Sequence, residues 1–316
     1  MVFLKPAEQA DAAIVLKDVR KRRYTEFTFS KVYPSFGVFM DLKVLVDNNT
    51  LIDRYFLAEP GLSFYINDRG HELLFDLGYS DIFLQNAEKM GLDLLQIQDV
   101  VISHGHLDHT WGLEPYARRL NEARFEKRKC SRPRLVAHPL AFTSVEGEES
   151  NEFGSLMSAD KLSKHFNLAL RRDPVTITPR LTWLGEVPRK FDFENVQSFG
   201  RKDGEVEADL VPDDSALVYS SEEGLVIITG CSHSGICNIV EHAKHVCGEN
   251  RIADIIGGFH LMNPDPKQLD GTINYLGGLG LEQIHACHCT DLQSKIALSR
   301  VVEVREVGVG LDLTYE

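Results

Sequence analysis

The sequence predicts a mixed α/β sandwich, with sheets inside and helices outside. Three observations carry that prediction. Short β-branched runs bounded by Asn, Asp and Gly alternate with helix-period segments. No solenoid repeat, low-complexity segment or run of ~20 apolar residues interrupts them. The 316 residues are 43% hydrophobic and 26% charged, an ordinary globular balance with material for a large core.

Residues 1–40 combine a short helical pattern (Ala7 to Lys21) with the alternating Tyr24 to Phe29 and carry no functional signal, so they are taken as an N-terminal extension to a domain of 41–316. From Asp41 the runs Leu42 to Val46, Leu62 to Ile66 and Glu72 to Phe75 read as consecutive strands of a meander. After Asp76-Leu-Gly78 comes a helix over Ile82 to Met90 with Gly91 as its C-cap, then the strand Asp99 to Ser103 and a helix over Trp111 to Leu120. Between about 115 and 212 the chain is charge-rich, aperiodic and interrupted by prolines at 133, 139, 174, 179, 188 and 212. It reads as an inserted cap region with a short strand at Arg134 to Ala137; long excursions of this kind tend to carry substrate contacts.

Regularity returns with strands at Ala216 to Ser220 and Leu225 to Thr229. A helix over Ile236 to Val246 then places Ile236, Ile239, Val240, Ala243 and Val246 on one face. Strands at Ile252 to Ile256 and Gln283 to Cys287 and a β-rich tail, Val301 to Leu313, complete the pattern.

A net charge of −13 excludes a protein that wraps nucleic-acid phosphates, which needs clustered Lys and Arg. The basic runs Lys17 to Arg23 and Arg124 to Arg134 read as solvated surface. Met1 to Gln9 lacks the basic-then-apolar start of a signal peptide, so a cytoplasmic location without membrane contact is expected. Six cysteines (Cys130, Cys231, Cys237, Cys247, Cys287, Cys289) are too sparse for a disulfide framework and are taken as reduced.

The informative regularity is that four strands end in metal-ligand residue types. Val100 to Ser103 delivers His104, His106, Asp108 and His109; Leu225 to Thr229 delivers Cys231 and His233; Ile252 to Ile256 delivers His260; Gln283 to Cys287 delivers His288. Strand ends in layered folds open onto one rim, so these side chains converge if the sheets bring their rims together. Gly105 lets His104 and His106 point at one ion while Asp108 and His109 turn to a second. Imidazole with carboxylate suits zinc, iron or manganese. Two ions ~3.5–4 Å apart would clamp a hydroxide and stabilise a developing oxyanion. His242 and His245 are expected on solvated helix surface, His71 and His165 among polar residues, His138 in a structural role, and His285 facing away from His288.

With these residues in view, the sequence resembles the metallo-β-lactamase superfamily: His104-x-His106-x-Asp108-His109 matches the family's HxHxDH signature. Asp76 in Leu-Leu-Phe-Asp-Leu-Gly resembles the upstream aspartate that supports the metal loop from the second shell. Asp214-Ser-Ala-Leu-Val218, Thr229-Gly-Cys-Ser-His-Ser-Gly235, Gly257-Gly-Phe-His260 and His288-Cys-Thr290 are similar to the 7,8-dihydropterin-6-methyl-4-(β-D-ribofuranosyl)aminobenzene-5′-phosphate synthase-like branch. The resemblance covers roughly residues 40 to 313 outside much of the insertion. It implies a four-layer αββα sandwich with two divalent ions at one edge, zinc foremost. His104 and His106 would bind the first and Asp108 and His109 the second. The chain departs from the family at Cys231, which stands where many members have a bridging aspartate, and at Val211-Pro-Asp-Asp-Ser215, where the usual histidine is missing. The remaining first-site ligand is therefore assigned to His233 and the closing second-site ligand to His288. Cys231 is left as a thiolate ligand or neighbour.

The function expected is a metal-dependent hydrolase in which a metal-bound hydroxide attacks a small anionic phosphate- or ester-containing molecule, with Asp108 guiding the proton and His260 as ligand, orienting group or alternative acid. Alternatives are a transferase of the synthase type, an iron-dependent redox enzyme, and a non-catalytic metal-binding protein.

Overall fold

The structure, a computed structural model, describes residues 39–147, 151–194, 198 and 200–316. Most of the expected N-terminal extension lies outside them. In chain order the elements are β1 (Met40–Val46), β2 (Ser63–Asp68), β3 (His71–Phe75), α1 (Ile82–Lys89), β4 (Asp99–Val101), α2 (Leu107–Thr110), α3 (Leu113–Phe125), β5 (Arg134–Ala137) and β6 (Val145–Glu146). They continue with α4 (Ala159–Leu162), β7 (Asn167–Leu170), β8 (Val175–Thr176), β9 (Leu181–Trp183), β10 (Arg201–Lys202), β11 (Ala216–Ser220), β12 (Leu225–Thr229) and α5 (Ile236–Cys247). The last are β13 (Ile252–Gly258), α6 (Pro266–Gly277), β14 (Gln283–Cys287), α7 (Leu292–Leu298), β15 (Glu303–Val304) and β16 (Asp312–Tyr315).

Two seven-stranded sheets result, in the orders β16-β1-β2-β3-β4-β5-β7 and β15-β14-β13-β12-β11-β9-β8. Each is antiparallel in one half and parallel in the other: β3, β4, β5 and β7 run parallel in the first sheet, β12 to β15 in the second. Period-two alternation gives each strand two different faces. On β12, Val226 and Ile228 join Leu42, Phe64 and Phe75 of the first sheet in the core between the sheets, while Leu225 and Ile227 face the helices. On β2, Phe64 and Ile66 point inward and Tyr65 points to α1 and α3. Three separate cores, one between the sheets and one under each helical layer, define the four-layer αββα sandwich.

The expected apolar stripe of α5 packs as drawn, and the helix ends on Gly248 in the left-handed conformation. α1 is capped instead by Met90, one residue before the expected Gly91, which follows it with φ +76°. Residues 115–212 hold more sheet than their composition suggests. β5 and β7 extend the first sheet and β8 and β9 the second, while β6 and β10 pair with each other. The expected strand at Arg134 to Ala137 is β5; β6 to β10, of two to four residues in a charge-rich stretch, carry too little periodicity to stand out beside it. The β-rich tail divides: β15 closes one sheet and β16 pairs with β1 in the other.

Candidate metal centre

Strand direction explains the convergence. The C-terminal ends of β1, β3, β4, β12, β13 and β14 and the N-terminal ends of β2 and β11 open on one rim, the consequence of parallel pairing in each sheet and antiparallel returns at β2 and β11. Two donor clusters form there. His104, His106 and His233 present one ligand atom each, all within 4.8 Å of one another; Asp108, His109, Cys231 and His288 do the same beside them. All seven sequence-predicted ligands thus fall into two neighbouring sets. His260 joins neither, but its ring lies 4.4 Å from that of His233, centroid to centroid.

Backbone conformation at the rim is unusual. Asp76, Ser232, His260 and His288 all have left-handed φ, between 50° and 61°. Each lies just past the end of β3, β12, β13 or β14. A non-glycine residue held there costs of order 1–3 kcal/mol, a strain that clusters at functional sites. Close approach adds two glycine requirements: a Cβ on Gly105 would lie 2.4 Å from the Ala141 carbonyl oxygen, and one on Gly230 2.1 Å from Ser103 Oγ.

Hydrogen bonds fix the ligand tautomers. Asp76 accepts from the Ser103 amide on Oδ1 (2.8 Å), and from Ser103 Oγ (2.7 Å) and His109 Nδ1 (2.7 Å) on Oδ2. Because the Ser103 hydroxyl spends its only proton on Asp76, it accepts from His104 Nδ1, 2.9 Å away. The Nε2 atoms of His104 and His109 therefore face the clusters. His104 Nε2 is buried without a hydrogen-bond partner, the mark of a nitrogen waiting for a metal. His288 is oriented by Asn48, whose Oδ1 lies 3.3 Å from Nδ1, and by Asp47, which accepts the His288 amide at 3.0 Å. Both imidazole Nε2 atoms of the second set, His109 and His288, lie 3.2 Å from Cys231 Sγ, and Asp108 Oδ2 is 3.2 Å from His288 Nε2.

The segment before β11 has its own role. Asp213 Oδ2 accepts the Gly105 amide at 2.8 Å, between ligands His104 and His106. Asp214 Oδ2 accepts the Ser234 amide at 2.8 Å, next to His233. Where a histidine was expected and missing, the two carboxylates brace the two metal loops.

Electrostatics separate the clusters. Burial pushes His104 and His233 well below the ordinary histidine range, and His106 down to about 4, so this set is uncharged at neutral pH. In the second set burial also opposes charge, but carboxylates outweigh it. Hydrogen bonding to Asp108, with Cys289 and Asp47 nearby, lifts His288 to about 9; Asp108 and Asp76 hold His109 above its usual value; and His109 and His288 hold Asp108 below the usual carboxylate range. Burial pushes the Cys231 thiol up. Metal ligation requires thiolate and neutral imidazole, so uptake by this set releases protons. The donors suit a borderline-soft divalent ion.

A cavity of about 440 Å³ opens above both sets, with Pro60, Tyr79, Leu107, Phe153 and Met262 as its apolar wall and Asn48, His260 and Cys289 among its polar groups. Tyr79 stacks on Trp111 at 4.9 Å. Arg171, Arg172, Arg189 and Lys190, basic residues of the stretch expected as an insertion, do not line it; Arg189 donates to the Leu210 and Val211 carbonyls and Arg172 pairs with Glu186. His138 contacts Glu186 at 3.4 Å away from the cavity, and His285 pairs with Asp254 at 2.8 Å, turned from His288. His242 differs from expectation: it is half-buried and bonds the Leu184 carbonyl at 3.1 Å, because β9 runs on beside α5. Sequence reasoning missed Asp47, Asn48, Asp213, Asp214, Ser103 and the cavity wall. Asp47 carries the same signal as Asp76, an acidic residue directly after an apolar strand.

The sequence profile described as the metallo-beta-lactamase superfamily matches residues 57–243. The 7,8-dihydropterin-6-methyl-4-(beta-D-ribofuranosyl)-aminobenzene-5′-phosphate synthase of Methanocaldococcus jannaschii is 30% identical over 255 residues, covering 76% of this chain and 84% of the relative. An uncharacterised protein of the same organism is 30% identical over 267 residues, covering 82% and 94%. Among solved structures, Tm1679, a metal-dependent hydrolase of the beta-lactamase superfamily, superposes with a TM-score of 0.71 at 29% identity, covering 87% of this chain and 98% of its own. Among the described residues no helix is long and apolar enough to cross a membrane.

Proposed function

We propose that this chain, which belongs to the metallo-beta-lactamase superfamily, is a two-metal hydrolase of a small anionic ester, phosphoester or lactone-type substrate. The observation that supports it is the pair of adjoining donor sets at the floor of one cavity, with His104, His109 and His288 oriented by hydroxyl, carboxylate and amide partners. Two divalent ions, zinc foremost, would supply Lewis acidity and lower the pKa of a coordinated water toward ~7.

The protein residues do the rest. His104, His106 and His233 hold the first position and Asp108, His109, Cys231 and His288 the second. Asp108, a quarter exposed and lining the cavity, is placed to take the proton released when water attacks. His260, on the cavity wall beside His233, is the alternative proton donor to a leaving group. The apolar wall of Pro60, Tyr79, Leu107, Phe153 and Met262 would exclude bulk water from the reacting group. The test is hydrolysis of a panel of phosphodiesters, phosphomonoesters, carboxylic esters and lactones by zinc-, manganese- and iron-loaded protein. Metal-dependent turnover lost on chelation is expected; a fully loaded protein inert on every class would sink the proposal.

Similarity to the archaeal synthase favours a second reading, a transferase joining a dihydropterin methyl diphosphate to a ribosylated aminobenzene phosphate. Offering that pair in competition with generic phosphoesters separates the two: product joining both substrates selects the transferase, phosphoester hydrolysis alone the hydrolase.

A further inference from the structure

The short arm formed by β6 and β10 meets the metal loop at two points, one on each side of His106. On one side the Phe153 carbonyl, whose residue also lines the cavity and whose amide bonds Val145 of β6 at 2.9 Å, accepts the Leu107 amide at 2.8 Å. On the other, Lys202 of β10 reaches inward until its Nζ lies 2.9 Å from Asp209 Oδ2 and 2.9 Å from Asp213 Oδ1, and the second oxygen of Asp213 takes the Gly105 amide. Lys202, Asp209 and Asp213 are each at most 5% exposed. A lysine is rarely buried to that extent unless paired. Here one of its partners bonds directly to the backbone between two metal-ligand histidines.

We infer that Lys202 is a positioning residue for the first metal position: through Asp213 it fixes the Gly105 amide, and so the His104–His106 loop, in the geometry that lets both imidazoles meet His233. Asp213 has two neighbours competing for its orientation, the Lys202 ammonium and the Gly105 amide, and the ammonium anchors the carboxylate so that its second oxygen stays on the loop. Among the described residues, the hydrogen bonds that orient the second donor set come from Asp76, Asp47 and Asn48, and Lys202 makes none of them. Loss of Lys202 therefore acts on one set and spares the other. A lysine present only to neutralise buried carboxylates would affect both sets alike, through global stability. The inference rests on the two-metal reading above.

Cobalt(II) titration of the metal-free full chain tests it, because the two sets have different spectra. The thiolate of Cys231 gives a near-ultraviolet charge-transfer band when its set is filled, and the three-histidine set contributes ligand-field bands alone. In wild type, two cobalt ions per chain are expected. In Lys202→Met the affinity of the three-histidine set falls about 10–100-fold, the range for loss of an outer support, while the thiolate band titrates as in wild type. Lys202→Met leaves two carboxylates stranded, so Lys202→Met/Asp209→Asn is measured beside it and decides the matter if the single variant does not fold. Asp213→Asn, which keeps an acceptor for the Gly105 amide, is expected to lose less than Lys202→Met. A folded Lys202 variant that titrates like wild type, or that weakens both sets equally, overturns the inference. Wild type that binds no cobalt overturns the two-metal reading, and the inference with it.

Discussion

His104, His106 and His233 form a set of imidazoles that burial keeps uncharged, whereas the adjoining Asp108, His109, Cys231 and His288 join a carboxylate and a thiol to two imidazoles whose protonated forms Asp108 and its neighbouring acids favour. The first set is supported at the backbone by Asp213 on Gly105 and at one side chain by Ser103 on His104. The second is supported at its side chains, by Asp76 on His109 and Asn48 on His288. The difference teaches that one centre holds two kinds of site. The neutral set is ready for a metal over most of the pH range, and the charged set must first surrender protons.

Four experiments break or sharpen that comparison. His106→Ala removes a donor from the neutral set and is expected to abolish its metal loading and to lower kcat/KM by about 10³-fold or more, the scale of several kcal/mol of lost transition-state stabilisation. Metal analysis with steady-state kinetics checks this, and an active variant with both ions bound would remove the ligand assignment.

Asp76→Ala strips three hydrogen bonds and frees His109 to rotate. Metal affinity of the charged set is expected to fall about 10–100-fold, more than that of the neutral set. An equal loss at both would mean that Asp76 supports the loop rather than the histidine.

The pH dependence should also divide. A group with a pKa of about 9 in the folded, metal-free chain still carries its proton at pH 7, so metal must displace it from His288. Apparent affinity of the charged set then rises about tenfold per pH unit for each proton displaced, levelling near pH 9 for His288. That of the neutral set stays flat down to about pH 4, where His106 protonates. Titrations in weak buffer with proton release recorded test this; release confined to the neutral set would reverse the assignment. The same shift predicts that the raised pKa of His288 stabilises the metal-free fold fully below its unfolded value of ~6.5, and that this contribution is lost as pH rises through about 9.

The smallest effect is expected outside the centre. Arg172→Ala breaks an exposed pair with Glu186 and should cost no more than about 1 kcal/mol in denaturant unfolding and leave turnover within about twofold. A large loss of activity would bring this basic residue into substrate binding.

The ligand run His104 to His109 was legible because four donor-type residues in six positions follow an apolar strand directly. The α5 stripe was legible because its periodicity spans a dozen residues. β7, β8 and β9 were not, since these short strands lie in a charge-rich, proline-interrupted stretch and are specified by their neighbours in the sheet more than by their own pattern. Lys202 carries no sequence signal of its own; β10 places it inward against Asp209 and Asp213.

The sequence by itself determined the layered α/β architecture, the donor types and their sites at strand ends, because local spacing and apolar alternation are properties of contiguous residues. Only the tertiary structure decided that these donors meet on one rim, that Cys231 faces His109 and His288, and that Asp213 and Asp214 brace loops. Those outcomes depend on strand order and register across two sheets, where residues 240 positions apart, such as Asn48 and His288, are brought into hydrogen-bond contact.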